Sequence, residues 1–131
     1  MSHITPLSYE QAPAAAKEVF DEIKQLRNVE DVNNFWKYLA NHPSVLRRTW
    51  DSLKQVMAPG ALDPLTKEML YMAISMSNGC DYCIKSHTAQ ARAKGMTEEM
   101  LEELMAVVGM ANETNALVAA YQVELDDGLK E

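Results

Sequence analysis

The chain has 131 residues, enough for one domain that buries roughly two-thirds of the surface its unfolded form exposes. Hydrophobic residues make up 47% of it, which argues against disorder, and five glycines and five prolines are few enough to allow long helices. A formal net charge of −7, from 12 basic and 19 acidic residues with no basic cluster, argues against nucleic acid or an anionic membrane as a partner.

The start, Met1-Ser2-His3-Ile4-Thr5-Pro6, has neither a charged n-region nor an apolar run, so no secretory signal is expected. No stretch approaches the ~18 apolar residues of a membrane span. The expected location is therefore cytoplasmic, where a C-x-x-C pair is more often catalytic or metal-binding than a structural staple.

Pro13 suits the first turn of a helix over about 13–27, with Val19, Phe20, Ile23 and Leu26 on its apolar face. A shorter helix near 33–40 is expected to turn Phe35, Trp36 and Leu39 inward. His42-Pro43 interrupts it, because proline disfavours helical geometry in its predecessor; His42 reads as a helix-end residue rather than a catalyst. Ser44 is placed to cap the next helix, whose Val45, Leu46, Thr49, Trp50, Leu53, Val56 and Met57 keep the same period.

Ala58-Pro59-Gly60 is a turn. Asp63 as N-cap and Pro64 at the first helical position then start a helix through about Ser77. It is apolar almost all round, with Leu65, Met69, Leu70, Tyr71, Met72, Ala73, Ile74 and Met76, the pattern of a helix buried on most faces. Glu68 is the exception inside it. Asn78-Gly79 ends this helix, the C-x-x-C segment opens the next over about 80–94, and Gly95 stops it. Thr97 caps another, with Glu98 and Glu99 in its first turn and Met100, Leu101, Leu104, Met105 and Val108 on its core face. A separate last helix from about Ala111 carries Leu117, Val118, Ala120, Tyr121 and Leu125, ahead of a solvated Asp126-Asp127. No run alternates with the period of a strand. The fold class is all-α.

The chemically committed stretch is Asn78-Gly79-Cys80-Asp81-Tyr82-Cys83-Ile84-Lys85-Ser86-His87, which holds both cysteines of the chain and one of its three histidines. At about 100° per residue, Cys80, Cys83 and His87 project from one helix face within two turns. Cysteines at i and i+3 in a first helical turn can close a disulfide with little backbone change, and the unpaired amides there stabilise a thiolate. His87, one turn past Cys83, can exchange a proton with it directly or through a relay. An antiparallel helix pair joined at Asn78-Gly79 would bring Glu68 to that same face. A carboxylate buried there has a raised pKa and can serve as a general base near neutrality.

Glu68-(11 residues)-Cys80-x-x-Cys83-x-x-x-His87, followed by Thr88-Ala89-Gln90-Ala91-Arg92-Ala93-Lys94-Gly95-Met96, resembles the AhpD-like alkylhydroperoxidase branch of the carboxymuconolactone decarboxylase family. The resemblance covers about residues 43–125 of a single domain spanning 1–131, with the helices of about 13–42 as an N-terminal addition. It implies an all-helical, AhpD-like multi-helix bundle that assembles as a homotrimer or homohexamer. It also implies a thiol-dependent peroxidase. Cys83 would be the peroxidatic nucleophile, Cys80 the resolving and donor-facing cysteine, His87 the proton relay and Glu68 the general base. No cofactor is bound in that scheme; an external dithiol, on a lipoyl-bearing protein in the best-understood branch, reduces the disulfide. Where members with the fullest relay carry a histidine before the second cysteine, this chain has Tyr82, a relay member or hydrogen-bond donor and a weaker base than imidazole at neutral pH.

Other readings compete. Glu68 could simply pair with Lys67 or Arg92, and the cysteines could be small buried hydrophobes. Zinc could draw on Glu68, Cys80, Cys83 and His87, but structural sites usually take a second Cys/His pair and only His3 and His42 remain, so no metal is expected. The family's other branch offers a cofactor-free decarboxylase, which needs no cysteine pair, and a non-enzymatic redox-sensing module would use the disulfide alone. Nine methionines and the remaining aromatic residues read as core or interface filler.

Overall fold

The computed structural model describes residues 3–130; Met1 and Ser2, where the expected absence of a signal begins, and Glu131 lie outside them. Among the described residues the chain forms six α-helices, a 3-10 turn at Asp127–Leu129 and no strand. Its contacts divide it into two compact units, the first ending at Ala58 and the second beginning at Pro59.

The first unit packs α1 (Ala14–Arg27) and α2 (Asn34–Leu39) against α3 (Pro43–Met57). Apolar residues at helical spacing place Ala16, Val19, Phe20 and Ile23 of α1 in one buried cluster with Trp36, Leu46 and Trp50. Trp36 and Trp50 meet edge to face at 5.5 Å and 83°, an arrangement that adds about 0.5–1.5 kcal/mol beyond their burial. Two expectations need correction here. Pro43, not a residue after Ser44, opens α3, with His42 as its N-cap, because a proline at the first position surrenders only an amide the helix would leave unpaired. Leu26, Phe35 and Val56 are exposed rather than inward. Their helical period puts them at the margin of an apolar face that is wider than its cover in the chain. Leu39 is partly buried, as a helix-end residue beside Trp36.

In the second unit α4 (Pro64–Asn78) packs against both α5 (Asp81–Ala93) and α6 (Glu98–Tyr121). Asp63 caps α4 by accepting from the Thr66 amide, and Pro64 follows at the first position. Met72, Ala91, Met96, Leu101 and Leu104 form the buried centre. Only Glu68, Met72 and Ser75 of α4 are buried, while Leu70, Tyr71 and Ile74 are exposed, so the expected all-round burial of this helix is not met within the chain. The two separate helices expected after Thr97 are one. Gly109 lies inside α6 with no proline or cap to interrupt it, and a lone helical glycine weakens a helix by about 1 kcal/mol without ending it. Beyond Val108 the side chains of α6 are exposed.

The α4–α5 junction is unusually short. Gly79 adopts the left-handed conformation (φ 70°) and donates to Met76 O, while the Cys80 amide reaches back to Ser75 O at 3.0 Å. These two bonds satisfy carbonyls that a helix end leaves open. Cys80 is at once the N-cap of α5: its carbonyl accepts from Ile84 at 2.9 Å and its Sγ from the Cys83 amide at 3.3 Å. One residue therefore closes one helix and opens the next. An added Cβ at Gly79 would meet no atom within 4 Å, so its penalty is backbone strain alone. Gly79→Ala should lower unfolding stability by about 1 kcal/mol, read as a reduced urea midpoint; an unchanged midpoint would contradict the role given to this glycine.

Candidate active site

The antiparallel course of α4 and α5 carries Glu68 to the second half of α5. Its carboxylate is 5% exposed, with Oε2 2.7 Å from His87 Nδ1 and Oε1 3.3 Å from Lys94 Nζ. Lys94 also reaches Gln90 Oε1 at 3.3 Å. The competing reading of a lysine pair for this carboxylate is met by Lys94, while Arg92 pairs with Glu98 at 3.0 Å.

The acid state of Glu68 differs from the expectation. Burial is the largest single influence and pushes its carboxyl up, but the His87 hydrogen bond, electrostatic attraction to His87 and Lys94, and the Lys94 hydrogen bond together pull it below the usual value. Charges ~4 Å apart interact by on the order of 4 kcal/mol at an effective dielectric of ~20, comparable to the several kcal/mol that burying one ion takes. Together the two partners outweigh burial. An ionised carboxylate can only accept, which assigns the proton of His87 to Nδ1 and leaves Nε2 as the nitrogen that can take another.

Tyr71 completes the group. It lies three residues after Glu68, on the same face of α4, and its ring stacks on the His87 imidazole with centroids 3.7 Å apart and planes at 23°. Ring pairs of this kind contribute about 0.5–1.5 kcal/mol, a bias of up to roughly tenfold in ring placement. Sequence reasoning passed over Tyr71 as part of an apolar helix. Its i+3 offset from Glu68 was the available signal. Lys94 was likewise legible, seven residues past His87 and so on the same helix face.

One turn before His87, Cys83 is joined to Cys80 in a disulfide, with Cα atoms 5.3 Å apart, and both cysteines are partly buried. Tyr82 stands between them, about half exposed, in the first turn of α5. Asp81 pairs with Lys85 at 2.9 Å on the solvent side. Among the described residues no group of three or more His, Cys, Asp or Glu side chains is arranged to hold a metal ion.

The arrangement sets a cysteine pair at a helix start one turn before an imidazole held by a buried carboxylate. A model of the carboxymuconolactone decarboxylase family matches residues 43–124, from the start of α3 to just past α6. The chain belongs to that family. Within it the resemblance is AhpD-like: the chain is 31% identical over 106 residues to the alkyl hydroperoxide reductase AhpD of Solibacter usitatus, covering 79% of this chain and 58% of that protein. It thus spans little more than half the length of that relative. Over 121 residues it is 25% identical to the alkyl hydroperoxide reductase Rv2159c of Mycobacterium tuberculosis, covering 92% of this chain and 35% of the relative. The crystal structure of the alkylhydroperoxidase AhpD core from Rhodospirillum rubrum superposes with a TM-score of 0.92 at 47% identity, covering 98% of this chain and 96% of that one. The all-helical AhpD core fold is therefore the fold of this family member.

Because the Glu68 carboxyl is held below its ordinary value of 4.5, its stabilising contribution is complete above that pH and is lost as pH falls through the lowered folded value. Urea unfolding of the protein and its Glu68→Gln variant should show a stability gap that narrows as the pH drops below 4.5. A gap constant with pH would mean that the carboxylate's charge is not what the partners hold.

Proposed function

We propose that this protein is a thiol-dependent peroxidase that reduces alkyl hydroperoxides through Cys83 and Cys80. The observation that carries the reading is the Cys80–Cys83 disulfide one helical turn from an imidazole hydrogen-bonded to Glu68. The names of the relatives, two of them alkyl hydroperoxide reductases, support it.

In the reduced protein the Cys83 thiol gives its proton to His87 Nε2, and the free amides at the start of α5 favour the resulting thiolate. The thiolate sulfur attacks a peroxide oxygen. An S–O bond forms, the O–O bond breaks, and the departing alkoxide takes the proton from His87 to leave as an alcohol. Cys83 is then a sulfenic acid. Cys80 sulfur attacks Cys83 sulfur, the S–S bond forms, and hydroxide leaves to become water with the Cys80 proton. The balance is two thiols and one hydroperoxide in, one disulfide, one alcohol and one water out. An external dithiol, of the lipoyl type by family resemblance, returns both hydrogens by exchange at Cys80. Such a cycle needs a reducing compartment, which accords with the expected cytoplasmic location.

Glu68 has a different part from the general base the sequence suggested. As an ionised carboxylate on Nδ1 it orients His87 and accompanies the imidazolium charge, and His87 moves the proton. Tyr82, beside the nucleophile, is proposed as a hydrogen-bond donor at the cysteine pair.

Pre-reduced protein given one equivalent of an organic hydroperoxide should lose two hydrogens, confined to the Cys80–Cys83 peptide by mass spectrometry. Cys83→Ser should abolish turnover with a dithiol donor, whereas Cys80→Ser should still consume one equivalent and accumulate the sulfenic acid. Full turnover by Cys83→Ser would sink the mechanism. Decarboxylation of a muconolactone-type acid by a variant lacking both cysteines would instead favour the family's other chemistry.

The protein is further proposed to assemble as a homotrimer or homohexamer. Leu70 and Ile74 of α4 and Met110, Leu117, Val118 and Tyr121 of α6 are large apolar side chains left exposed, more than a lone soluble chain ordinarily presents. Sedimentation equilibrium should return three or six times the mass of the chain; a monomer at micromolar concentration would overturn the assembly.

A further inference from the structure

The imidazole of His87 is gripped at two places, and only one of them is a hydrogen bond. Glu68 Oε2 meets Nδ1 at 2.7 Å, which fixes one point on the ring's edge. A single edge contact leaves the ring free to swing about that bond, because a carboxylate accepts over a broad range of directions. The Tyr71 ring removes that freedom. Lying over the imidazole at 3.7 Å with an interplanar angle of 23°, it is in face-to-face contact, and a planar ring pinned at one edge and covered on one face has a fixed orientation.

We propose that Tyr71 is a positioning residue for the proton transfer. Its aromatic face sets the plane of His87, and with it the direction in which Nε2 points. This rests on the reading of His87 as the carrier of the Cys83 proton. The useful property is the ring, not the hydroxyl. Tyr71 and Glu68 share one face of α4, so the residue that pins the edge and the residue that covers the face move together when α4 moves. The ionisable groups around the imidazole are few: Glu68 and Tyr71 from α4, Lys94 through its contact with Glu68 at 3.3 Å, and the cysteine pair one turn earlier on α5. Asp81 and Lys85 pair with each other on the exposed side.

Two variants separate ring from hydroxyl: Tyr71→Phe retains the stack and Tyr71→Leu abolishes it. The kinetic readout is the rate at which pre-reduced protein forms the Cys80–Cys83 disulfide with a hydroperoxide, measured from pH 5 to pH 9. Tyr71→Leu should be slower by about tenfold across that range, part of the 10²–10⁴ that proton transfer by a positioned group supplies. Tyr71→Phe should follow the unmodified protein. The second readout needs no turnover. Long-range proton–nitrogen correlation spectra of the oxidised protein, assigned against His87→Gln, should show the Nδ1–H tautomer in the unmodified protein and in Tyr71→Phe. The spectrum should keep that tautomer in Tyr71→Leu but with ring cross-peaks broadened by exchange among orientations, since Glu68 still holds Nδ1.

An undiminished rate in Tyr71→Leu would overturn the proposal. So would Tyr71→Phe as slow as Tyr71→Leu, since the hydroxyl would then be the active part. A slow Tyr71→Leu with an unchanged imidazole spectrum would overturn it too. If the unmodified protein forms no disulfide with peroxide, the peroxidase reading fails, and the spectra alone then judge the role of Tyr71. Should Tyr71→Leu fail to fold by circular dichroism, the test passes to nuclear Overhauser contacts between the two rings in the unmodified protein. Their presence supports the stack and their absence refutes it.

Discussion

A carboxylate this deeply buried stays ionised only if something holds its charge, and here two groups do. The pairing of Glu68 with His87 on one oxygen and Lys94 on the other is the constraint that sets the second unit. It ties α4 to two separated turns of α5, and it can be met only if the two helices run antiparallel from a tight junction. Gly79 and Cys80 supply that junction. Hydrophobic contact between α4 and α5 favours packing in many registers, whereas this pairing allows one. Its loss would leave a buried charge without compensation, by about 3–5 kcal/mol for pairs of this kind.

The dependence runs the other way as well. The imidazole that Glu68 holds lies one turn from Cys83, on a helix whose first turn is organised by Cys80 as its cap. The backbone that positions the two cysteines and the side chains that converge near them are consequences of the same hairpin. Unit one contributes none of these groups; its tryptophan-centred cluster is a conventional apolar core.

Much of this was legible from residue order. Asp63-Pro64, Asn78-Gly79 and Thr97 marked helix ends through chemistry that is local, and local chemistry survives folding. Glu68, Cys80, Cys83 and His87 could be placed on facing helices by counting turns. The electrostatic state of Glu68 could not, because it depends on which partners converge on it, and Lys94 is 26 residues away along the chain. Helical period predicted the side on which Leu26, Phe35 and Val56 lie but not how far cover extends over them. Likewise the apolar pattern of α4 announced burial without saying what would bury it. The helix break expected before Ala111 is absent: Gly109 sits inside α6, where no competing cap or proline acts.

The junction at Gly79-Cys80 has a consequence for how the site comes into being. Every group described in it falls between Glu68 and Lys94, and its widest link closes a loop of 26 residues. Loop-closure entropy grows only with the logarithm of length, so this ring of contacts closes for little more than a short turn would. Contacts so near in sequence belong to the fast-forming class, ahead of pairings between distant segments. The hairpin therefore acquires its chemistry as it acquires its shape, and the thiols are brought beside each other as soon as α5 begins to wind.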